Sequence, residues 1–170
     1  FEHNKLQRGE IITNRILNGD TCAIVTDAGM PCVSDPGELL IMQCEEKGIP
    51  TIVIPGPTAF ASALAISGLP TGRFTFEGFL SVNKKSRKEH LESLINEERT
   101  MLFYEAPHKL SNTLKDFANY FPNRKLSIVR EITKIHEEVI RTTTDKAYED
   151  YGETGLKGEI VLVLGGKPHK

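Results

Sequence analysis

Cys22-Ala23-Ile24-Val25-Thr26-Asp27-Ala28-Gly29-Met30-Pro31-Cys32-Val33-Ser34-Asp35-Pro36-Gly37 decides how this chain is read. Its first five residues are apolar and β-prone and sit between Asp20 and Asp27, so they predict a buried strand. The run then breaks into Asp27–Pro31 and Ser34–Gly37, and a helix pattern follows. A buried strand that opens into Gly, Pro and Asp and then a helix is where an open α/β sheet places its ligand. The crevice lies beyond the strand's carboxyl end, and small residues admit close backbone approach.

Working outward, Asp35 suits an N-cap, Pro36 the first helical position, and Glu38 completes a capping box. The helix carries Leu39, Leu40, Ile41, Met42 and Cys44, and Gly48 closes it. Thr51-Ile52-Val53-Ile54 then predicts a second apolar strand. Strand, helix and strand over residues 22–54 read as a right-handed parallel crossover. Pro55-Gly56-Pro57-Thr58-Ala59 repeats the device, with Thr58 as cap of a small-sided helix (Ala59, Ala61, Ser62, Ala63, Ala65). Two loops from neighbouring parallel strands are thus expected to face one crevice. Upstream, residues 4–18 predict a helix capped by Asn4, with Leu6, Ile12, Ile16 and Leu17 on one side and Gly19 at its end. A lone helix leading into a central strand implies that an earlier β–α unit is absent.

Leu69-Pro70-Thr71-Gly72 marks the expected boundary between a first domain, residues 1–71, and a second, residues 72–170. Residues 73–80 alternate and are aromatic, hence a strand. Lys84, Lys85, Arg87 and Lys88 follow, with Ser86 and Glu89 as a capping box for a helix that turns Leu91, Leu94 and Ile95 inward. Met101–Tyr104 is a strand running into Glu105–Lys109. Leu110, Leu114, Phe117 and Phe121 then recur at helical spacing. Leu126–Val129, Val139–Thr144 and Ile160–Leu164 predict further strands, and Asp145–Tyr151 a short helix.

The chain has 170 residues, a net charge of −2 and a pI near 6.2, so no global field draws it to nucleic acid or membrane. Any RNA contact must come from a local patch. Cys22, Cys32 and Cys44 match no zinc spacing and fit buried free thiols in a reducing cytosol; no metal is expected. No apolar run reaches the roughly 18 residues of a membrane span, and no signal peptide is visible. Neither GxGxxG nor GxxxxGK[ST] occurs, so a dinucleotide fingerprint and a P-loop lack support.

Asp27 and Asp35 could accept hydrogen bonds from a ribose or amino group; the plainer alternative is that Asp27 makes a turn and Asp35 caps a helix. The four cations of residues 84–88 could grip phosphates or simply be solvated. A first helical turn prefers acids, and Arg87 and Lys88 stand there instead. His108, Arg130, Glu131, Lys134, His136 and Glu137 are candidate acid–base groups, each with an ion pair or solvation as its alternative. His3, His90 and His169 receive no role, and no ordered triad or metal set emerges.

Val25–Pro31, Ser34–Gly37, Pro55–Ala59, Glu77-Gly78-Phe79-Leu80, Phe103–Lys109 and Arg130-Glu131-Ile132-Thr133-Lys134 occur in that order. Together they resemble the tetrapyrrole (corrin/porphyrin) methylase superfamily, and within it the branch that methylates a cytidine 2′-hydroxyl in small-subunit (16S) ribosomal RNA. The similarity spans residues 20–166. It implies a tetrapyrrole-methylase-like α/β fold of two α/β domains, with a parallel sheet in the N-terminal part, a mixed sheet in the C-terminal part, and S-adenosyl-L-methionine in a cleft between them. It implies cofactor contacts from Asp27, Ala28, Gly29, Pro31, Ser34, Asp35, Pro36, Thr58, Ala59, Tyr104, Glu105, Gly158 and Glu159. Glu77, Phe79, Lys84, Lys85, Arg87 and Lys88 would meet RNA. The family's N-terminal strand and loop, roughly Thr-Pro-Ile-Gly-Asn, is missing. Lys109 stands where arginine is commoner in this branch, which keeps the charge and loses a bidentate contact.

The resemblance thus implies a cytoplasmic, homodimeric RNA ribose 2′-O-methyltransferase in which a base takes the hydroxyl proton; Lys109, Glu131 and Lys134 are the candidates. A tetrapyrrole C-methyltransferase is the rival enzyme, disfavoured because a macrocycle wants an apolar bowl more than a row of cations. A non-catalytic RNA-binding module is the rival of another class.

Overall fold

The structure, a computed structural model, describes residues 2–168 and the side chains of residues 6–168. The chain divides into two compact units, residues 1–58 and 59–170. The expected boundary at residue 71 therefore falls inside the second unit. The reason is packing: Ala63 and Leu64 of the helix after Thr58 join Leu102, Val129, Val161 and Val163 in one core. His169 and the side chain of His3 lie outside the described residues.

The first unit holds two helices, α1 (Glu2–Leu17) and α2 (Glu38–Glu46). Asn4 lies within α1, and its side chain is outside the described residues. The α1–α2 contact is close and polar. A Cβ on Gly9 would come 1.7 Å from Gln43 Oε1, so a side chain there would displace the end of Gln43. Gln43 Nε2 donates to Leu6 O at 3.3 Å, and Lys47 Nζ donates to Glu10 at 2.6 Å and Thr13 Oγ1 at 2.7 Å. The expected apolar side is only partly covered, since Leu6 and Leu17 are exposed.

Neither run expected to be a parallel strand in this unit forms one. Residues 22–26 and 51–54 have no sheet pairing, and Val25, Ile52, Val53 and Ile54 are 85%, 93%, 68% and 83% exposed. A strand exists only where neighbours take its backbone N–H and C=O groups and a second layer covers its side chains. Among the described residues nothing in the unit supplies either. The thiols differ as well: Cys44 is buried, Cys32 half-buried and Cys22 exposed, and all three are free.

The second unit is built on a five-stranded mixed sheet. Its strands are β1 (Phe74–Phe79), β2 (Thr100–Glu105), β3 (Lys125–Arg130), β4 (Glu138–Thr143) and β5 (Ile160–Leu164), in the order β1-β2-β5-β3-β4. β1 and β2 are parallel; β5 runs antiparallel to both β2 and β3, and β4 antiparallel to β3. The helices are α3 (Ala59–Ile66), α4 (Lys84–Ser93), α5 (Leu110–Tyr120) and α6 (Thr144–Tyr151).

Period-two alternation divides the strand residues between two faces. Met101, Phe103, Leu126, Ile128, Ile160, Leu162 and Leu164 pack with Leu91, Leu94, Leu110, Leu114, Phe117, Phe121 and Ala147 of the helical layer. Leu102, Val129, Val161 and Val163 pack under α3. The α4 cap differs from expectation: Asn83 Oδ1 accepts from Lys85 N and Ser86 N at 3.0 and 3.1 Å, so the helix starts earlier and Ser86 lies inside it. Asparagine before the run satisfies the orphan amides first.

Candidate active site

In the first unit the two Gly/Pro loops do meet. Met30 N donates to Pro57 O at 3.0 Å. Gly29 has φ +80°, and a Cβ there would lie 3.3 Å from Pro57 O; a Cβ on Gly56 would lie 3.3 Å from Met30 Sδ. Small residues therefore set the spacing of the loops. The turn itself is held by Thr26, whose hydroxyl faces Gly29 O at 2.9 Å and Ala28 O at 3.3 Å. Cys32 and Ser34 both adopt left-handed backbone, at φ 71° and 57°, a sparsely populated region that tends to gather at functional sites.

The plain roles considered for the two aspartates are not the ones they hold. α2 is capped by Gly37, at φ 131°, with no side-chain cap bond, so Asp35 does not cap it. The Asp27 turn is made by the Thr26 hydroxyl. Both carboxylates are exposed and have no hydrogen bond or ion pair among the described residues. Ala28, Gly29, Ser34 and Pro36 are also exposed, and Pro31 and Thr58 are half-buried.

In the second unit the topology gathers the remaining candidates at one end of the sheet. Phe79 pairs with Tyr104, Glu105 with Ile160, Ile160 with Arg130, and Arg130 with Glu138. The carboxyl ends of β1, β2 and β3 and the entry to β5 are thus level, which brings Phe79, Tyr104, Glu105, Glu131, Gly158 and Glu159 to a common edge. The start of α3 joins them, because Phe60 N donates to Tyr104 Oη at 3.2 Å, with Ala59 next to it. A groove of about 1270 Å³ bordered by Arg73, Arg99, Lys125 and Gly166 lies at the opposite end and contains none of the candidates.

A bulge at Glu77-Gly78, with Gly78 at φ 64°, aims the β1 side chains. Under strict alternation Phe76 and Phe79 would project to opposite faces. The extra residue puts both against Tyr104, edge-on at 5.0 and 5.6 Å. Phe79 stays 56% exposed. Glu77 is turned to His90, whose Nε2 lies 2.8 Å from its Oε2. Glu77 is thus a half-buried partner of His90, a histidine without an expected role.

Two other expectations change character. Glu105 is 5% exposed; its carboxylate accepts from Ala106 N at 2.7 Å and from the Thr113 hydroxyl. Only its backbone is left for a ligand. Arg87 donates to Thr113 Oγ1 at 2.8 Å and to Asp116 Oδ2 at 2.7 Å, so it braces α4 against α5 and is not a free phosphate-binding cation. Lys85 and Lys88 make long exposed pairs with Glu89 and Glu92, at 3.9 and 3.6 Å, which contribute little. Lys84 has no partner among the described residues.

The proposed bases are joined to each other. Lys134 Nζ lies 3.0 Å from Glu131 Oε1 and 3.1 Å from Glu159 Oε2. The amide of Glu159 and the Lys134 ammonium hold the Glu131 carboxyl below its usual pKa, and the same carboxylates hold Lys134 above its own. Lys109 sits half-buried in a 3₁₀ turn over Pro107–Lys109, with no ion pair among the described residues. His108 and His136 are exposed, Arg130 pairs with Glu138 at 2.9 Å, and Glu137 accepts from Thr133 N at 2.5 Å. Among the described residues no group of three or more His, Cys, Asp or Glu could hold a metal, and no helix is long and apolar enough to cross a membrane.

The second unit is an α/β layer structure whose candidates lie at one sheet end. Residues 2–148 match the tetrapyrrole (corrin/porphyrin) methylase family, and the chain belongs to it. It is 43% identical over 99% of its length to the ribosomal RNA small subunit methyltransferase I of Halalkalibacterium halodurans, covering 58% of that protein. It is 44% identical over 97% of its length to the protein of the same name from Synechocystis, covering 60%. The Thermotoga maritima relative is 41% identical, with 98% of this chain and 74% of that one covered. The chain thus spans about three-fifths of the first two relatives. Among solved structures it resembles the methyltransferase CobJ, with a TM-score of 0.69, 19% identity and coverage of 98% and 74%. It also resembles uroporphyrin-III C-methyltransferase from Thermus thermophilus complexed with S-adenosylhomocysteine, with a TM-score of 0.59, 18% identity and coverage of 92% and 72%.

Proposed function

We propose that this chain forms most of an S-adenosylmethionine-dependent methyltransferase that acts on small-subunit ribosomal RNA, at the 2′-hydroxyl of a cytidine. The observation that carries the reading is sequence identity of 41–44% along almost the whole chain to relatives named for small-subunit ribosomal RNA methylation. The structures of tetrapyrrole methylases share the fold at 18–19% identity, which says nothing of substrate. A cytoplasmic homodimer is the accompanying expectation.

The residues present fit the cofactor. The carboxylates of Asp27 and Asp35, exposed and without a partner among the described residues, match the ribose hydroxyls and the amino group of such a ligand. Gly29 and the small residues of the two loops permit backbone approach. Within the first unit Asp27–Pro31, Ser34–Pro36 and Thr58 are the proposed holding residues; within the second, the family resemblance proposes Ala59, Tyr104, the Glu105 backbone and Gly158-Glu159. When bound, S-adenosylmethionine supplies an electrophilic methyl group. The chain's part is to bind, orient and exclude water, effects each able to contribute several kcal/mol. Phe79 offers an exposed ring on which a base could stack, worth about 1–3 kcal/mol. Lys84, Lys85 and Lys88 offer phosphate contacts.

Calorimetric titration with S-adenosylmethionine tests the reading, followed by methyl transfer to small-subunit RNA. Binding that weakens in Asp27→Ala, with transfer to RNA and none to a precorrin, is the expected result. RNA affinity without cofactor binding would overturn it in favour of a non-catalytic RNA-binding module.

A further inference from the structure

Glu131 leaves β3 in an uncommon conformation. Its φ is 51°, and Thr133 two residues on has φ 65°. Two non-glycine residues in the left-handed region within three positions are kept only where the surroundings over-determine them. Lys134 N donates to Glu131 O at 2.9 Å and Thr133 N to Glu137 within the turn, and Glu159, at the entry to β5, ties it from across the sheet. Glu131 N donates to Glu159 O at 2.9 Å, and Glu131 Oε1 accepts from Glu159 N at 2.8 Å. One residue therefore satisfies both backbone groups of Glu159.

Gly158 completes the arrangement. It has φ +95°, and a Cβ there would fall 2.5 Å from Cγ, Cδ and Oε1 of Glu131. The space that a side chain at 158 would need holds the Glu131 carboxylate. Lys134 bridges that carboxylate and the carboxylate of Glu159. The turn so fixed is level with the ends of β2 and β3. A carboxylate that accepts a backbone amide and a lysine ammonium is held in its charged form and is a poor proton acceptor.

We infer that Glu131 is a positioning residue: with Lys134 as counter-ion it holds the Gly158-Glu159 turn in the shape that presents its backbone to S-adenosylmethionine, and it does not take the substrate proton. This rests on the methyltransferase reading above.

Two measurements on the purified protein test it: amide exchange at Glu159 without cofactor, and calorimetric affinity for S-adenosylmethionine. In Glu131→Ala, exchange at Glu159 quickens and affinity falls, each tenfold or more. Glu131→Gln keeps an oxygen that can accept the Glu159 amide, so it restores affinity to within about threefold and leaves turnover of the same order. Lys134→Met falls between the two. Melting temperatures of all variants separate local loosening from global unfolding. Glu131→Gln with intact affinity but turnover reduced a hundredfold would make Glu131 the base and overturn the inference. So would Glu131→Ala with wild-type exchange and affinity. Wild-type protein that binds no cofactor defeats the methyltransferase reading itself, and the inference with it.

Discussion

Ile52-Val53-Ile54 and Ile160-Val161-Leu162 are near-copies of one pattern, and the fold treats them oppositely. The second is buried on both faces as the centre of a five-stranded sheet; the first is exposed and unpaired. Val25 sides with the first, although the run around it reads as convincingly as any strand in the chain. An apolar, β-branched run states only a preference for a pleated, covered surface. In the second unit β2 and β3 flank β5, and α3 and the α4–α6 layer cover it. Among the described residues the first unit offers its two runs no such neighbours. The units also use their charges differently. Arg87, Asp116 and Glu105 are tied into the scaffold of the second, whereas Asp27 and Asp35 of the first have no partner among the described residues.

The largest expected effect tests the packing half of that comparison. Phe117→Ala removes a ring with 0% exposure that contacts Phe103 and Phe121. It should destabilise the protein by about 3–5 kcal/mol in denaturant unfolding. Ile54→Ala, at 83% exposure, should change stability by less than about 0.5 kcal/mol. Equal losses would erase the distinction between the two units. Amide exchange sharpens it: Ile160–Leu164 should exchange only through near-global opening and residues 51–54 almost freely.

A smaller effect separates structural from ligand-facing charge. Asp116→Ala leaves Arg87, with a side chain only 16% exposed, short of its carboxylate partner. Unfolding should show a loss of about 1–3 kcal/mol. Asp35→Ala touches no partner and should leave stability unchanged while weakening cofactor binding in calorimetry. A stability loss at Asp35 would mean that it has a structural role after all.

Acid titration probes the second unit further. Arg99 grips Glu97 at 2.7 and 2.8 Å and, with its own amide, lowers the Glu97 pKa from 4.5 to about 2. A folded-state pKa below the unfolded one gives stability that is present above about pH 4.5 and lost as pH falls toward 2. Arg99→Met should therefore flatten the stability curve across that window; an unchanged curve would show the pair to be solvent-screened. The smallest effect concerns RNA. Lys84, Lys85 and Lys88 replaced together by Ala should leave unfolding unchanged and flatten the salt dependence of RNA binding by up to about two units of slope. Arg87→Ala should act on folding first.

Much of this was legible in the chain. The helices and the five strands of the second unit follow from period and capping chemistry, because their apolar residues recur at the spacing their environment requires. The Gly- and Pro-rich loops around Asp27 and Pro57 were legible as close-packed turns, since small residues permit such an approach. The bonding of Glu105 and Arg87 within the scaffold was not legible, because exposure is not written locally. Thr113 and Asp116, which bind them, lie 8 and 29 residues away and carry no motif. The Glu77–His90 pair escaped notice for the same reason, as it needs a bulge that only the register with β2 reveals.

The sequence by itself thus determined which segments favour helix or strand, where turns need glycine, and which family the motifs resemble, because these depend on neighbours within a few residues. Tertiary structure alone decided which apolar runs become strands, which charges are held and which stay free, and that Glu131 braces the turn before β5. Those outcomes depend on partners brought together by sheet register across tens of residues, and burial and hydrogen-bond satisfaction are properties of that assembly.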